Sequence, residues 1–143
     1  HLSLVQTIPL TGALIITTPQ TVSLLDANKA ISMFNLKDIN VPVLGLVENM
    51  SWCEINDEKH YIFGRDGGKS LSNSKGISLL AEIPLNQSIR EAADIGRPAV
   101  LQKSKIELLF LDLAKQLVNK TDFRNQNLPN TKKVEITHNR GCK

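Results

Sequence analysis

The chain has 143 residues, 41% of them hydrophobic, which suffices for one globular domain with a real core and excludes a disordered chain. Its net charge of +3 is unevenly placed: residues 1–119 hold 11 Lys/Arg against 12 Asp/Glu and residues 120–143 hold 6 against 2, so the basic excess sits in the tail and no nucleic-acid partner is expected. No apolar run approaches the roughly 20 residues that span a bilayer, no signal peptide opens the sequence, and two cysteines are too few for a disulfide framework, so no membrane partner is expected and a cytoplasmic protein with free thiols is the simpler reading.

Residues 1–10 read as the end of a helix stopped by Pro9. The sequence opens on His1 and runs directly into Leu2-Ser3-Leu4-Val5, as if entered partway through a helix; a fragment of a longer protein is the expectation. Ala13 to Thr17 is an apolar run that reads as a strand. Thr18 suits an N-cap and Pro19 a first helical position, and the helix they open is expected to reach about Leu36. Leu24, Ala27, Ile31 and Phe34 share one face of it, and Met33 and Leu36 widen that face.

Val43 to Val47 is the stretch around which the rest is organised. It is apolar without alternation, bounded by Pro42, and reads as a strand buried on both faces inside a parallel sheet. Glu48, Asn49 and Met50 are expected to leave its carboxyl end, where ligands bind in open α/β sheets. The Asn49 amide can donate and accept at once, which suits a nucleotide base edge. It suits a turn or a strand end equally well, and this stretch by itself leaves both readings open.

Residues 51–64 are irregular. Trp52, the only Trp, sits beside Cys53, then comes the polar run Glu54 to His60 and then Tyr61-Ile62-Phe63-Gly64. This reads as a small hairpin standing out from the sheet, and its mixture of Trp, thiol and charge suggests a partner surface. Asp66 with Gly67-Gly68 starts a short helix that ends at Gly76. Residues 78–83 are the third strand. Ser88-Ile89-Arg90-Glu91 has the form of a capping box, and its helix ends near Gly96 before Pro98. Ser104-Lys105-Ile106-Glu107 is a second box, opening a helix to about Asn119 with Ile106, Phe110, Leu113 and Leu117 on one stripe. Residues 120–143 read as a polar basic tail, in which Val134 to His138 alternates as an edge strand would, although the composition favours an unstructured segment. Three buried strands, each followed by a helical segment, predict an α/β fold with a doubly wound, mostly parallel sheet.

Two motifs carry less than they first suggest. Gly64-Arg65-Asp66-Gly67-Gly68-Lys69-Ser70 has the ending of a phosphate loop, but the Gly required five positions before the Gly of Gly-Lys-Ser falls on Phe63. A Gly-rich helix start accounts for it. Cys53, His60 and the acidic residues between them lack a Cys-x-x-Cys pair and the four ligands of a zinc or iron–sulfur site. No nucleophile–base–acid arrangement stands out around His1, His60 or His138.

Several strings then occur in one order: Thr17-Thr18-Pro19-Gln20, Gly45-Leu46-Val47-Glu48-Asn49-Met50-Ser51, Ile62-Phe63-Gly64 with Gly67-Gly68, Gly76-Ile77, Glu82-Ile83-Pro84-Leu85, and Ile89-Arg90-Glu91-Ala92 followed by Gly96-Arg97-Pro98. Together they resemble the Mrp/ApbC-type iron–sulfur cluster carrier ATPases, of the deviant-Walker P-loop NTPase class, over roughly residues 1–118. The resemblance implies the C-terminal half of such an ATPase domain in residues 1–119, without the N-terminal half that carries the phosphate loop. It implies ATP and Mg2+ as cofactors of the whole protein, an iron–sulfur cluster as cargo, a homodimer, and iron–sulfur client or scaffold proteins as partners.

Under that resemblance Asn49 corresponds to the adenine-reading Asn, and Pro84 with Leu85 to the backbone wall on the other side of the base. Cys53 corresponds to a cluster-ligating position, with a departure: the family usually carries Cys-x-x-Cys there, shared between two subunits, and here Glu54, Ile55 and Asn56 follow. A stable cluster on the isolated chain is therefore not expected, nor is ATP hydrolysis by it. The alternatives are a partition or division-site positioning ATPase of the same class, which the absence of an amphipathic tail helix disfavours, and a non-enzymatic dimerisation module.

Overall fold

Three parallel strands frame the computed structural model, which describes residues 2–101 and 103–133. They are β1 (Ala13–Thr17), β2 (Val43–Asn49) and β5 (Leu79–Ile83), in the order β1-β2-β5. β3 (Cys53–Ile55) and β4 (Glu58–His60) form a separate antiparallel pair. The helices are α1 (Leu2–Thr7), α2 (Thr21–Phe34), α3 (Gly67–Lys75), α4 (Gln87–Asp94) and α5 (Lys105–Asn127). α2 packs on β1, α3 on β2 and against α2, and α5 on β5 and β2. This is the parallel α/β arrangement that the three apolar runs predict.

The core follows from the register. Ile15 lies opposite Leu46, and both are buried with Ala27, Ile31 and Phe34 of α2 and Val5 of α1. β2 is the middle strand, α3 and α5 both pack on it, and its consecutive residues Gly45 to Glu48 are buried, which is why its run lacks polar alternation. β1 departs from the expectation of a strand buried on both faces. Ala13, Ile15 and Thr17 are buried, but Ile16 is 63% exposed, because α2 covers only one of the two faces. At Gly45 an added Cβ would lie 2.5 Å from Leu80 Cγ, so the approach of β5 leaves no room for a side chain there.

Element ends differ from the sequence expectation in ways the chain explains. α2 begins at Thr21, with Gln20 at the cap position and no side-chain cap. Thr18 instead turns its hydroxyl toward Gln20 and Ser23. The helix stops at Phe34, and Leu36 is exposed; its carbonyl accepts from Ile39 and Asn40 in a turn that buries Ile39 in its place. α3 keeps its expected bounds and ends on Gly76 at φ 63°, the left-handed position that Gly fills at a helix end. Its cap residue Asp66 is left-handed and makes no side-chain cap bond.

α4 is capped by Asn86, not by Ser88. Asn86 Oδ1 accepts from Ser88 N at 2.8 Å, and Glu91 bonds Gln87, so the Ser88 capping box does not form. Asn86→Ala is expected to cost about 1 kcal/mol by removing that acceptor, measured as a shift in the urea midpoint at constant slope.

Ser104 caps α5 as predicted, accepting from Glu107 N. The helix does not end near Asn119. It runs on to Asn127, because nothing breaks it until Leu128, whose extended backbone is what a residue preceding Pro129 adopts. The first eight residues of the segment read as a tail are therefore helical. The alternating stretch Val134 to His138 lies outside the described residues.

Candidate functional site

The carboxyl end of β2 is built differently from a strand that simply stops. β2 carries Glu48 and Asn49 within it, where the sequence suggests they leave it. The ladder explains this: Glu48 pairs with Thr17 on one side and Glu82 on the other, and Asn49 pairs with Ile83. Met50 then turns left-handed at φ 57°. Asn49 Oδ1 accepts from Met50 N at 3.0 Å, and Ser51 Oγ donates to the Glu48 carbonyl at 3.0 Å. The turn reading of Asn49 is thus realised by its oxygen. Its NH2 is left as the group able to donate to something else.

Glu48 is the unexpected member. It is 1% exposed, and its carboxylate accepts from the backbone N–H of Gly68 in the first turn of α3. A helix N-terminus carries unsatisfied N–H groups and partial positive charge, so a buried carboxylate is well placed there. Gly68 has no Cβ for a steric reason, since one would lie 2.9 Å from Glu48 Oε2. Gly67 is held as closely, because a Cβ added there would lie 2.8 Å from the Pro19 carbonyl oxygen. The glycines of the Gly64–Ser70 stretch therefore serve packing of α3 against β2 and the β1–α2 connection. The anion place at that helix start is filled by the protein's own carboxylate, which is the physical reason it is a poor phosphate loop.

Asn49 stands at one end of an open, largely apolar cleft that runs the length of β1 from Gly12 to Thr18, with Ser23, Asp26 and Phe34 of α2 along it. Thr18 Oγ1 lies 2.6 Å from Gln20 Oε1 and 2.8 Å from Ser23 Oγ, so the β1–α2 connection is tied in place beside it. Pro84 and Leu85 follow β5 and line a different cleft, with Trp52, Asn86 and Ser88. The two stretches are joined through the backbone: Ser51 N donates to the Ile83 carbonyl and Leu85 N to the Trp52 carbonyl. Asn49 and Pro84 thus stand on neighbouring strand ends, on the two sides of the 49–52 turn.

The hairpin rises from that turn. Asn56 and Asp57 both have positive φ, at 52° and 62°, which is the two-residue turn that suits strand twist. Its register sets Cys53 opposite His60 and Glu54 opposite Lys59. Lys59 Nζ lies 3.9 Å from the Trp52 ring centroid, so the Trp is half-buried under a cation. Cys53 is a half-buried free thiol. Register brings it beside His60, but among the described residues no group of three or more His, Cys, Asp or Glu converges as a metal centre requires.

Comparison with known proteins matches residues 1–118 to the ParA-group family model described as NUBPL iron-transfer P-loop NTPase. A mitochondrial iron–sulfur protein required for NADH dehydrogenase from Arabidopsis thaliana is 44% identical over 122 residues, 82% of this chain and 38% of that protein. The iron–sulfur cluster carrier protein of Aquifex aeolicus is 40% identical over 82% of this chain and 33% of its own length, and mouse iron–sulfur cluster transfer protein NUBPL 42% identical over 84% and 38%. The chain therefore spans little more than a third of the length of these relatives. Among solved structures, a nucleotide-binding protein from Archaeoglobus fulgidus in complex with ADP is similar at TM-score 0.53 and 34% identity, over 61% of this chain and 36% of that one. The Aquifex aeolicus MinD cell division protein is similar at TM-score 0.56 and 18% identity, over 76% and 44%, a likeness of fold alone. By the extent of the family match and these identities, the chain belongs to the iron-transfer P-loop NTPases of the NUBPL and iron–sulfur cluster carrier family, as its motifs imply.

Proposed function

We propose that this chain supplies the base-reading part of an ATP-binding iron–sulfur cluster carrier ATPase. The observation that carries the reading is Asn49, placed at the carboxyl end of the middle strand with its amide oxygen fixed by Met50 N and its NH2 left to donate, in a chain of this family. Asn49 meets the base edge; Pro84 and Leu85, which line the neighbouring cleft across the 49–52 turn, are assigned to the other side of the base by the family pattern alone. Bound ATP supplies the phosphoanhydride whose hydrolysis would drive the cycle. The Glu48 carboxylate at the start of α3 does not fit a phosphate, so the phosphates and Mg2+ are assigned to the rest of the whole protein.

The cargo is an iron–sulfur cluster, met by the Cys53 thiolate. A homodimer offers two such thiolates where Cys-x-x-Cys in each subunit would offer four, so cargo is held briefly and passed to client or scaffold proteins, with the hairpin as the partner surface. No helix among the described residues is long and apolar enough to cross a membrane. The cytoplasm is our assignment of compartment, on the chain's use of only two cysteines.

The test uses the whole protein that carries this chain. Asn49→Ala is expected to weaken ATP binding about tenfold, roughly the 1.4 kcal/mol of one lost hydrogen-bonded contact, and to relax the preference for ATP over GTP while the hydrolysis rate at saturation holds. Unchanged affinity and unchanged preference in titration calorimetry would remove Asn49 from the site. The 143-residue chain alone is expected to bind ATP no more tightly than about millimolar. Micromolar, Mg2+-dependent binding lost on Lys69→Ala would instead put the phosphates on the Gly67–Ser70 turn.

A further inference from the structure

The opposite end of β2 holds a second polar site. Arg124, in the last turns of α5, is 5% exposed. Its guanidinium donates to the Pro129 carbonyl at 2.6 Å and to Asn125 Oδ1 at 3.1 Å, and its Nε is buried without a partner. Both partners are neutral, and among the described residues no carboxylate lies within ion-pair distance of it. A buried cation with only neutral partners and an orphaned donor is a costly arrangement to keep.

Arg124 lines a pocket of about 450 Å3 between the end of α5 and the loop that leads from α2 into β2. Asn40, Thr131, Lys132 and Lys133 line it too, and Asp38 is the one acid among the described residues that do. Three cations against one carboxylate leave a surplus of two positive charges around one cavity. The volume falls in the range of pockets that take small organic ligands, well beyond a bare ion.

We propose that this pocket binds the phosphate group of a small phosphorylated ligand. A phosphate carries close to two negative charges at neutral pH, which matches the surplus. Arg124 supplies a fixed positive charge in the pocket wall, while the two Lys ammonium groups close over the phosphate as mobile donors. Asn40, held left-handed at φ 45°, and Thr131 add neutral donors. The site is separate from the Asn49 cleft. Asn40 precedes β2 and Asn49 ends it, so the length of a seven-residue strand, roughly 20 Å, lies between them. It therefore stands or falls independently of the nucleotide reading.

The experiment is a titration of the 15N-labelled chain with inorganic phosphate, against sodium chloride at matched ionic strength. The expected result is saturable shifts confined to the amides of Asn40, Thr131, Lys132 and Lys133, strengthening as the pH rises through the second phosphate ionisation. Lys132 and Lys133 are exposed, so the double variant Lys132→Ala/Lys133→Ala keeps the fold and is expected to weaken phosphate at least tenfold. Arg124→Gln, which removes the buried charge, is expected to weaken it as well, with the amide spectrum reporting that the chain remains folded. Shifts spread evenly over the basic surface and reproduced by chloride, or affinity unmoved by the double Lys variant, would overturn the proposal.

Discussion

Truncating Leu46 to Ala is expected to lower the unfolding free energy by about 3 kcal/mol. Leu46 is 0% exposed, sits in the middle strand and faces Ile15 across the ladder with Ile31 of α2 beside it. Cutting its side chain removes apolar area and leaves a hole between strands on two sides and a helix above, none of which can collapse inward. The loss is a large share of the roughly 5–15 kcal/mol that holds a domain of this size. Ile16→Ala is the control. It removes as many carbons from the adjacent strand, but at 63% exposure it is expected to cost less than about 0.5 kcal/mol. Urea unfolding of both variants decides the matter, and equal losses would mean that the covered and bare faces of β1 and β2 are not as described.

The second large effect is expected at Glu48. Glu48→Ala should cost about 2 kcal/mol and speed amide exchange in the first turn of α3. Two opposing terms decide the sign. Removing a buried carboxylate relieves its desolvation cost, which favours the variant. Against that, the Gly68 N–H loses its acceptor and stays buried, and the helix N-terminus loses the charge set against it. The second term is expected to win because Glu48 and Gly68 are both buried and the Gly68 N–H makes its bond to this carboxylate. Glu48→Gln keeps an acceptor and should lose only about half as much. Gly68→Ala attacks the same contact from the other side, so the double variant should lose less than the sum of the single ones. If Gly68 and Lys69 exchange at wild-type rates in Glu48→Ala, the contact is not what holds α3.

The strands are legible because each is a short apolar run bounded by polar or Pro residues, and that pattern survives packing. What escapes is decided across distance. The extension of β2 through Asn49 depends on ladder partners far off in sequence, Thr17, Glu82 and Ile83, and no periodicity in Val43 to Val47 announces it. The α4 start depends on which of two good capping residues, Asn86 or Ser88, the chain leaving Leu85 presents, and local spacing favours both. Composition understates the length of α5, although Pro129 marks the stop. Asn49 as a site residue comes from the family pattern; its own neighbourhood specifies a turn, and the structure has that turn.

β1 pairs with β2 on one side, and among the described residues nothing pairs with its other side. Its outward N–H and C=O groups form a row in register, over the uncharged sequence Ala13-Leu14-Ile15-Ile16-Thr17. Proteins usually blunt such a border with Lys, Pro or a bulge, and none of the first two occurs in these five residues. The row is consequently a template for any extended segment that arrives, whether another part of a longer polypeptide or a neighbouring copy. In the first case it seals a wider sheet; in the second it seeds association, and a Lys at position 16 would discourage the second without entering the core.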